Sequence, residues 1–326
     1  MFATLRKVDH AKRKRIFANR YANSNVSRGS AIAGIQERSR RFIERCTSNG
    51  SAAHDIFCEG THLDVNLNID RLVSFYAPRL HSLASGILRL WLKPRETPLL
   101  EQYVLQAVEQ AKAEPFTLLS RLHEKSADIN FTDTAAECLD HINAGIDTTG
   151  DLLCFLIWEL SQPRSVDIQQ KLHKELRLNP NTPLDQLPYL GAVVYEGLRC
   201  FPPIAMSLPR RVPPGGRHID DTWLPADTIV SCQAYSVHWL HPSVFPAPEE
   251  YDPSQWLETE GDADRRKLMF AFSSGGRGCI GKHLALVEMK TLLRDVYSAY
   301  STTPHMSMTE ESMTMSDQLL SETRNA

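Results

Sequence analysis

Cys279 stands in a glycine-rich run, FSSGGRGCIGKH, from Phe272 to His283. Two chemistries compete for this stretch. Counted from Gly276, it follows the phosphate-loop pattern G-x-x-x-x-G-K-[ST], except that His283 takes the place of the Ser or Thr that would hold Mg²⁺. Counted around Cys279, it is a single thiol in a tight turn just ahead of a helical pattern. Backbone N–H groups and a helix N-terminus both favour a thiolate there, which makes Cys279 a candidate metal ligand.

Two other stretches carry polar groups where apolar ones would be expected. AGIDTTGD, from Ala144 to Asp151, interrupts an otherwise apolar helical pattern with poor helix formers. One reading is a break between two helices or a solvated dip. The other is a functional defect in which Gly145 lets a ligand approach the backbone and Asp147 beside Thr148 forms a proton-delivery pair. Further on, LGAVVYEGLRCFPP places Glu196 and Arg199 three apart on one helical face. Exposed, such a pair contributes little; its apolar neighbours point to burial, where a pair is costly and serves geometry.

The elements that must hold these residues are mainly helical. Apolar spacing predicts helices near 10–23, 34–47, 69–91, 98–122, 134–161, 165–177, 188–200 and 280–299. The 134–161 helix opens on the capping box Thr134–Glu137 and would span roughly 40 Å. Its second half, LLCFLIWEL, is apolar all round and should be buried. Residues 202–262 are rich in Pro, Gly and Asp with short β-like pieces such as 228–231, and the tail from 301 reads as irregular. This order does not alternate strand and helix, which weakens the phosphate-loop reading: such a loop needs a parallel sheet around it.

The bulk numbers exclude some classes. The 326 residues are 42% hydrophobic and 23% charged with a net charge of -3, which argues against whole-protein nucleic-acid affinity. The basic run Lys12–Arg15 could be a nuclear-localisation patch, but its apolar neighbours at helical spacing favour a packed helix. No apolar run is long enough to cross a membrane, and the basic N-terminus is not a signal peptide. The seven cysteines include no C-x-x-C, so neither a zinc cluster nor a disulfide framework is expected.

Taken in order, AGIDTT, EGLR and FSSGGRGCIG resemble the cytochrome P450 monooxygenases. The last matches the family's haem signature F-x-x-G-x-R-x-C-x-G at Phe272, Gly275, Arg277, Cys279 and Gly281. The resemblance is strongest over 131–300, and the texture is similar to fungal members of secondary metabolism. It implies a mainly α fold with small β-sheets, a cytochrome P450 fold lacking its N-terminal part, in one domain over 1–326. It implies haem as cofactor with Cys279 as the axial iron ligand, and electrons from NADPH through a reductase. It implies O₂ and a lipophilic small molecule as substrates, with no nucleic-acid partner.

The same resemblance assigns roles. Phe272 packs near the thiolate, and Gly275 and Gly281 let backbone approach sulfur and porphyrin. Arg277 and Arg210 bind haem propionates, with Arg211 competing for the latter role; His10 and Lys14 fall near propionate positions, with Arg13 as the alternative to Lys14. Asp147 and Thr148 relay protons. Ala144, Gly145, Ile204, Ala205 and Met206 line the substrate pocket, and Glu196 with Arg199 is structural.

Two departures stand out. Gln255, in PEEYDPSQW, replaces an arginine that completes the family's buried triad with the Glu–Arg pair, so a weaker fold or haem site is expected. The chain is also short, without the membrane anchor that places family members on the endoplasmic reticulum, so a truncated or mis-spliced product that does not retain haem is the alternative to an active monooxygenase.

Overall fold

A computed structural model describes residues 7–48, 99–109, 113, 117–124, 129–205 and 207–314. The chain divides into two compact units, Asp55–Ala144 and Met1–His54 with Gly145–Ala326. The helix expected over 69–91 lies outside the described residues.

The described part of the smaller unit is helical: α4 (Leu99–Glu109), α5 (Leu118–Glu124) and the first turns of α6 (Phe131–Ser161). The sequence predicts one helix over 98–122, but Ala113 and Thr117 lie outside helix. Pro115 falls between α4 and α5, and a proline inside a helix removes an N–H and collides with the preceding turn.

The start of α6 differs from expectation, while its middle runs on as the single helix predicted over 134–161. The helix begins at Phe131, and its cap is Asn130 rather than Thr134. The Asn130 side-chain oxygen accepts the Asp133 N–H at 2.8 Å, and its carbonyl accepts the Thr134 hydroxyl at 2.9 Å. Thr134 and Glu137 therefore lie inside the helix, both buried. Through AGIDTTGD the helix runs unbroken. Poor intrinsic propensity is overridden because the flanking turns are held by packing: every residue from Asp151 to Ser161 is buried.

The larger unit is built on α11 (Lys282–Ala299), which packs against α3 (Gly29–Ser48), α7 (Val166–Leu178) and α8 (Pro188–Cys200). α1 (Lys7–Phe17) and the short α2 (Asn23–Val26) precede α3. α8 fits closely on the second half of α6: a Cβ at Gly197 would sit 3.0 Å from the Leu156 side chain, so only glycine lets the helices approach this near. Glu175 of α7 caps α8, its carboxylate oxygens accepting the Tyr189 and Leu190 N–H groups at 2.7 and 2.8 Å. These are among the donors that a helix N-terminus leaves without internal partners.

Two small antiparallel sheets follow. β1 (Ser207–Arg211) pairs with β4 (Ile229–Gln233), Arg210 opposite Val230; β2 (Arg217–Ile219) pairs with β3 (Thr222–Leu224). α9 (Ala234–Trp239) and α10 (Asp262–Leu268) lead to the Cys279 loop. Between them Phe245 and Trp256 bury with Ala192 of α8.

Among the described residues, 301–314 have no regular secondary structure, yet this tail is tied down. Thr302 is the anchor: its hydroxyl meets those of Ser161 and Tyr297 at 2.7 and 2.9 Å, and its N–H donates to Gln169 at 3.1 Å. Trp158 donates to the Met308 carbonyl at 3.2 Å. Thr302→Val keeps the shape and removes the hydroxyl, leaving Ser161 and Tyr297 short of a partner. It is expected to cost about 2 kcal/mol, read as a lowered midpoint in urea.

Candidate functional site: the Cys279 loop and its cationic cluster

The loop is a set of backbone hydrogen bonds that brings Cys279 to the start of α11. The Cys279 N–H donates to the Phe272 carbonyl at 2.8 Å, the Gly278 N–H to Gly275 at 3.0 Å, and the Ser273 N–H to Phe270 at 2.7 Å. Gly275 has φ +61°, a left-handed conformation that glycine adopts without a Cβ penalty. A turn of 3₁₀ helix, Gly275–Arg277, delivers the chain to Cys279, and α11 begins at Lys282. The Lys282 ammonium lies 5.7 Å from the centre of the Phe272 ring.

The Cys279 side chain is open to solvent, while protein crowds its other sides. That crowding raises the thiol pKa; the N–H groups of Gly281 and Lys282 and the charges of Lys14 and Lys282 pull it back. Burial has the larger effect and the thiol stays raised; the N–H groups and lysine charges are the features that favour an anionic sulfur.

α1 crosses this loop. The Lys14 ammonium donates to the Gly276 carbonyl at 3.2 Å and to the Gly278 carbonyl at 2.5 Å, so it holds the turn immediately before Cys279. His10, one helical repeat earlier, is buried. Its pKa is lowered first by burial, then by the charges of Arg277, Lys14 and Arg210. Arg277 is likewise lowered by burial and by Arg210. Four basic side chains from α1, β1 and the loop thus converge, and the charges of Arg277, Lys14 and Arg210 disfavour protonation of His10. Arg211 goes elsewhere, to an exposed ion pair with Asp227 at 3.2 Å. Successive strand residues point to opposite faces, which separates Arg210 from Arg211.

Glu196 and Arg199 form a completely buried pair. Arg199 Nε and Nη2 reach the two Glu196 oxygens at 2.9 and 2.7 Å, and its Nη1 and Nη2 donate to the Pro248 and Glu250 carbonyls, each at 2.6 Å. Burial works against the Arg199 charge, but the Glu196 contacts outweigh it and raise the pKa. Gln255 keeps the third position: its amide donates to both Glu196 oxygens at 3.0 Å. The Trp256 indole at 2.8 Å and the Asp252 N–H at 3.0 Å complete the shell. One anion and one cation leave the site neutral, so a neutral amide suffices where a second guanidinium would add net charge. Gln255→Leu is expected to cost about 2 kcal/mol, since two donations to a buried charge are lost, and chemical denaturation measures it.

On α6, Asp147 and Thr148 are both half-buried. Neighbouring helix positions point about 100° apart, so these two do not share a face. Thr148 instead shares one with Ala144 and Gly145, four and three residues earlier. Among the described residues nothing lies within 4 Å of where a Cβ at Gly145 would sit. Ile204 and Ala205 are half-buried between α8 and β1; Met206 lies outside the described residues.

The phosphate-loop reading has no support here, because both sheets among the described residues are antiparallel pairs. A family model described as "Cytochrome P450" matches residues 99–326. The chain belongs to the cytochrome P450 family. As a P450 it is similar to curated fungal members. It is 34% identical over 220 residues to a cytochrome P450 monooxygenase, orf2, of Aspergillus niger, covering 65% of this chain and 43% of that protein. It is 36% identical over 179 residues to the cytochrome P450 monooxygenase hkm5 of Aspergillus hancockii, covering 51% and 34%. To the cytochrome P450 monooxygenase macH of Penicillium terrestre it is 38% identical over 163 residues, covering 47% and 31%. These matches span less than half the length of each P450 relative.

The P450 family implies haem, and the donor set fits it. A single crowded thiol set among N–H donors and lysine charges suits a thiolate ligand, and the cationic cluster beside it suits the two propionate carboxylates. Three contributors were not legible in the sequence: the Lys14 contacts to loop carbonyls, the Trp256 donation to Glu196, and His238 beneath the loop. Lys14 and its partners are far apart in sequence, Trp256 lies in the PEEYDPSQW stretch but nothing there marks its indole as a donor to Glu196, and His238 falls in no recognisable motif.

Proposed function

We propose that this chain binds haem through Cys279 and works as a monooxygenase on a lipophilic small molecule, in fungal secondary metabolism. The observation that carries the reading is the meeting of His10, Lys14, Arg210 and Arg277 beside the Cys279 loop. Three cations gathered with a buried histidine beside a crowded thiol are explained by an anionic ligand. Bound haem, supplied with electrons from NADPH by a reductase, provides the chemistry by which substrate-H, O₂, two electrons and two protons become substrate-OH and water.

The chain's own residues then have separate tasks. Cys279 Sγ donates its charge to the iron, with the Gly281 and Lys282 N–H groups limiting its basicity. Arg277, Arg210 and His10 hold carboxylates, and Lys14 fixes the loop by its carbonyls. Phe272, with the Lys282 ammonium 5.7 Å from its ring centre, would pack beside the sulfur. Thr148 would move a proton at its hydroxyl, and Asp147, about 100° round the helix, would be the acid that supplies it through water. Gly145, Ile204 and Ala205 would present a mostly apolar wall to the substrate.

Titrating the purified chain with haem tests the reading. Saturation at one haem per chain, lost on Cys279→Ala, is expected. A chain that takes up no haem is the non-catalytic product named above, and the proposal fails.

A further inference from the structure

We propose that His238 is a positioning residue for the Cys279 loop, holding the Phe270 amide from the last turn of α8. Its relevance to haem rests on the function proposed above; its hold on the loop does not.

His238 lies on α9 and is completely buried. Its Nδ1 is 2.9 Å from the Arg199 carbonyl, and its Nε2 is 2.9 Å from the Phe270 N–H. A carbonyl can only accept, so Nδ1 carries the hydrogen. The Phe270 N–H can only donate, so Nε2 carries none. The two backbone groups thus select one neutral tautomer. Burial supports this, driving the pKa down to about 4. The edge of the ring meets Phe245, with centroids 6.5 Å apart.

What the ring joins gives it more than a filling role. Arg199 is the penultimate residue of α8, so its carbonyl is among those left without a partner inside the helix. Its side chain is already fixed by Glu196 and two loop carbonyls. Phe270 opens the Cys279 loop: its own carbonyl accepts the Ser273 N–H, and two residues on the Phe272 carbonyl accepts the Cys279 N–H. One imidazole therefore passes the rigidity of the buried Glu196–Arg199 network to the segment that sets the sulfur's place. Only a flat ring with a donor on one side and an acceptor on the other makes both bonds at once.

The plain alternative is a core histidine whose loss lowers stability everywhere alike. Two conservative variants separate the ideas, because an asparagine amide reaches the Nδ1 position and a glutamine amide the Nε2 position. Each full-length variant, without added haem, is placed in D₂O, and amide hydrogen exchange of the peptide spanning Phe270–Cys279 is followed by mass spectrometry. His238→Leu is expected to exchange about tenfold faster there than wild type, because the loop opens more often. His238→Gln, which keeps an acceptor for Phe270, should stay near wild type, and His238→Asn should resemble His238→Leu. Leu172→Ala, destabilised in α7 away from the loop, should leave the rate near wild type. Equal effects of Asn and Gln, or an equal rise in Leu172→Ala, would overturn the proposal. These rates are decided without haem, so they stand even if the chain binds none. In haem-loaded protein the same order should appear as a falling share of thiolate-type absorption in the reduced carbon monoxide complex.

Discussion

Arg199→Leu is expected to leave the chain unfolded or insoluble at room temperature. The substitution strands the Glu196 carboxylate, which is wholly buried, with neutral donors only. It also removes the donors that the Pro248 and Glu250 carbonyls use. Breaking one side of a buried pair costs about 3–5 kcal/mol, and a domain has only about 5–15 kcal/mol in total. The Phe245 ring, 5.4 Å from the guanidinium carbon, loses its cation as well. Arg199→Lys should fall between, because an ammonium cannot serve four acceptors arranged for a planar fork. Replacing both Glu196 and Arg199 by leucine should cost less than the two single changes added together, since no lone charge remains. Urea unfolding of the soluble variants checks the order. A loss below about 0.5 kcal/mol for Arg199→Leu would put it in the range of an ordinary surface change and dismiss the network as a stabilising element.

The second large effect is expected in the cationic cluster. Arg210→Ala and Arg277→Ala should each weaken haem retention by about tenfold to a hundredfold, the equivalent of one charge-assisted hydrogen bond to a carboxylate. Arg210 has a companion signature. Its side chain donates to the Pro209 carbonyl next to it, at 2.8 Å, and its charge opposes those of His10 and Arg277. Arg210→Ala should therefore leave the haem-free chain as stable as wild type, or more so, while the haem-loaded chain loses stability. Thermal melts of both forms give the comparison. A cluster built for the fold alone would show loss in both. Arg211→Ala, whose ion pair with Asp227 is exposed, should do neither.

What could be read from sequence depended on whether a residue's partner was near it in the chain. The Cys279 motif, the Glu196–Arg199 spacing and the buried second half of α6 are local patterns, and the structure contains each as a local unit. The family followed from their order. The two-stranded sheets were visible only as β-like pieces, because pairing β1 with β4 depends on contacts across some twenty residues. The weak middle of α6 left two readings open, a break or a functional defect within one helix, and packing of its flanks keeps the helix whole. Gln255 looked like a loss because only charge was compared. Its geometry shows that what Glu196 needs at that position is a donor, and an amide has one. His238 was invisible because each of its partners is a backbone group, and backbone groups leave no trace in a sequence.

The central claim is that Cys279 is a haem thiolate. The most direct measurement is the absorption spectrum of the purified, haem-loaded chain after reduction under carbon monoxide. The account predicts a Soret band displaced far to the red, as an anionic sulfur opposite carbon monoxide produces, and its disappearance in Cys279→Ala. A band at the ordinary position of a haem with a neutral ligand, or a red-shifted band that survives Cys279→Ala, would contradict it.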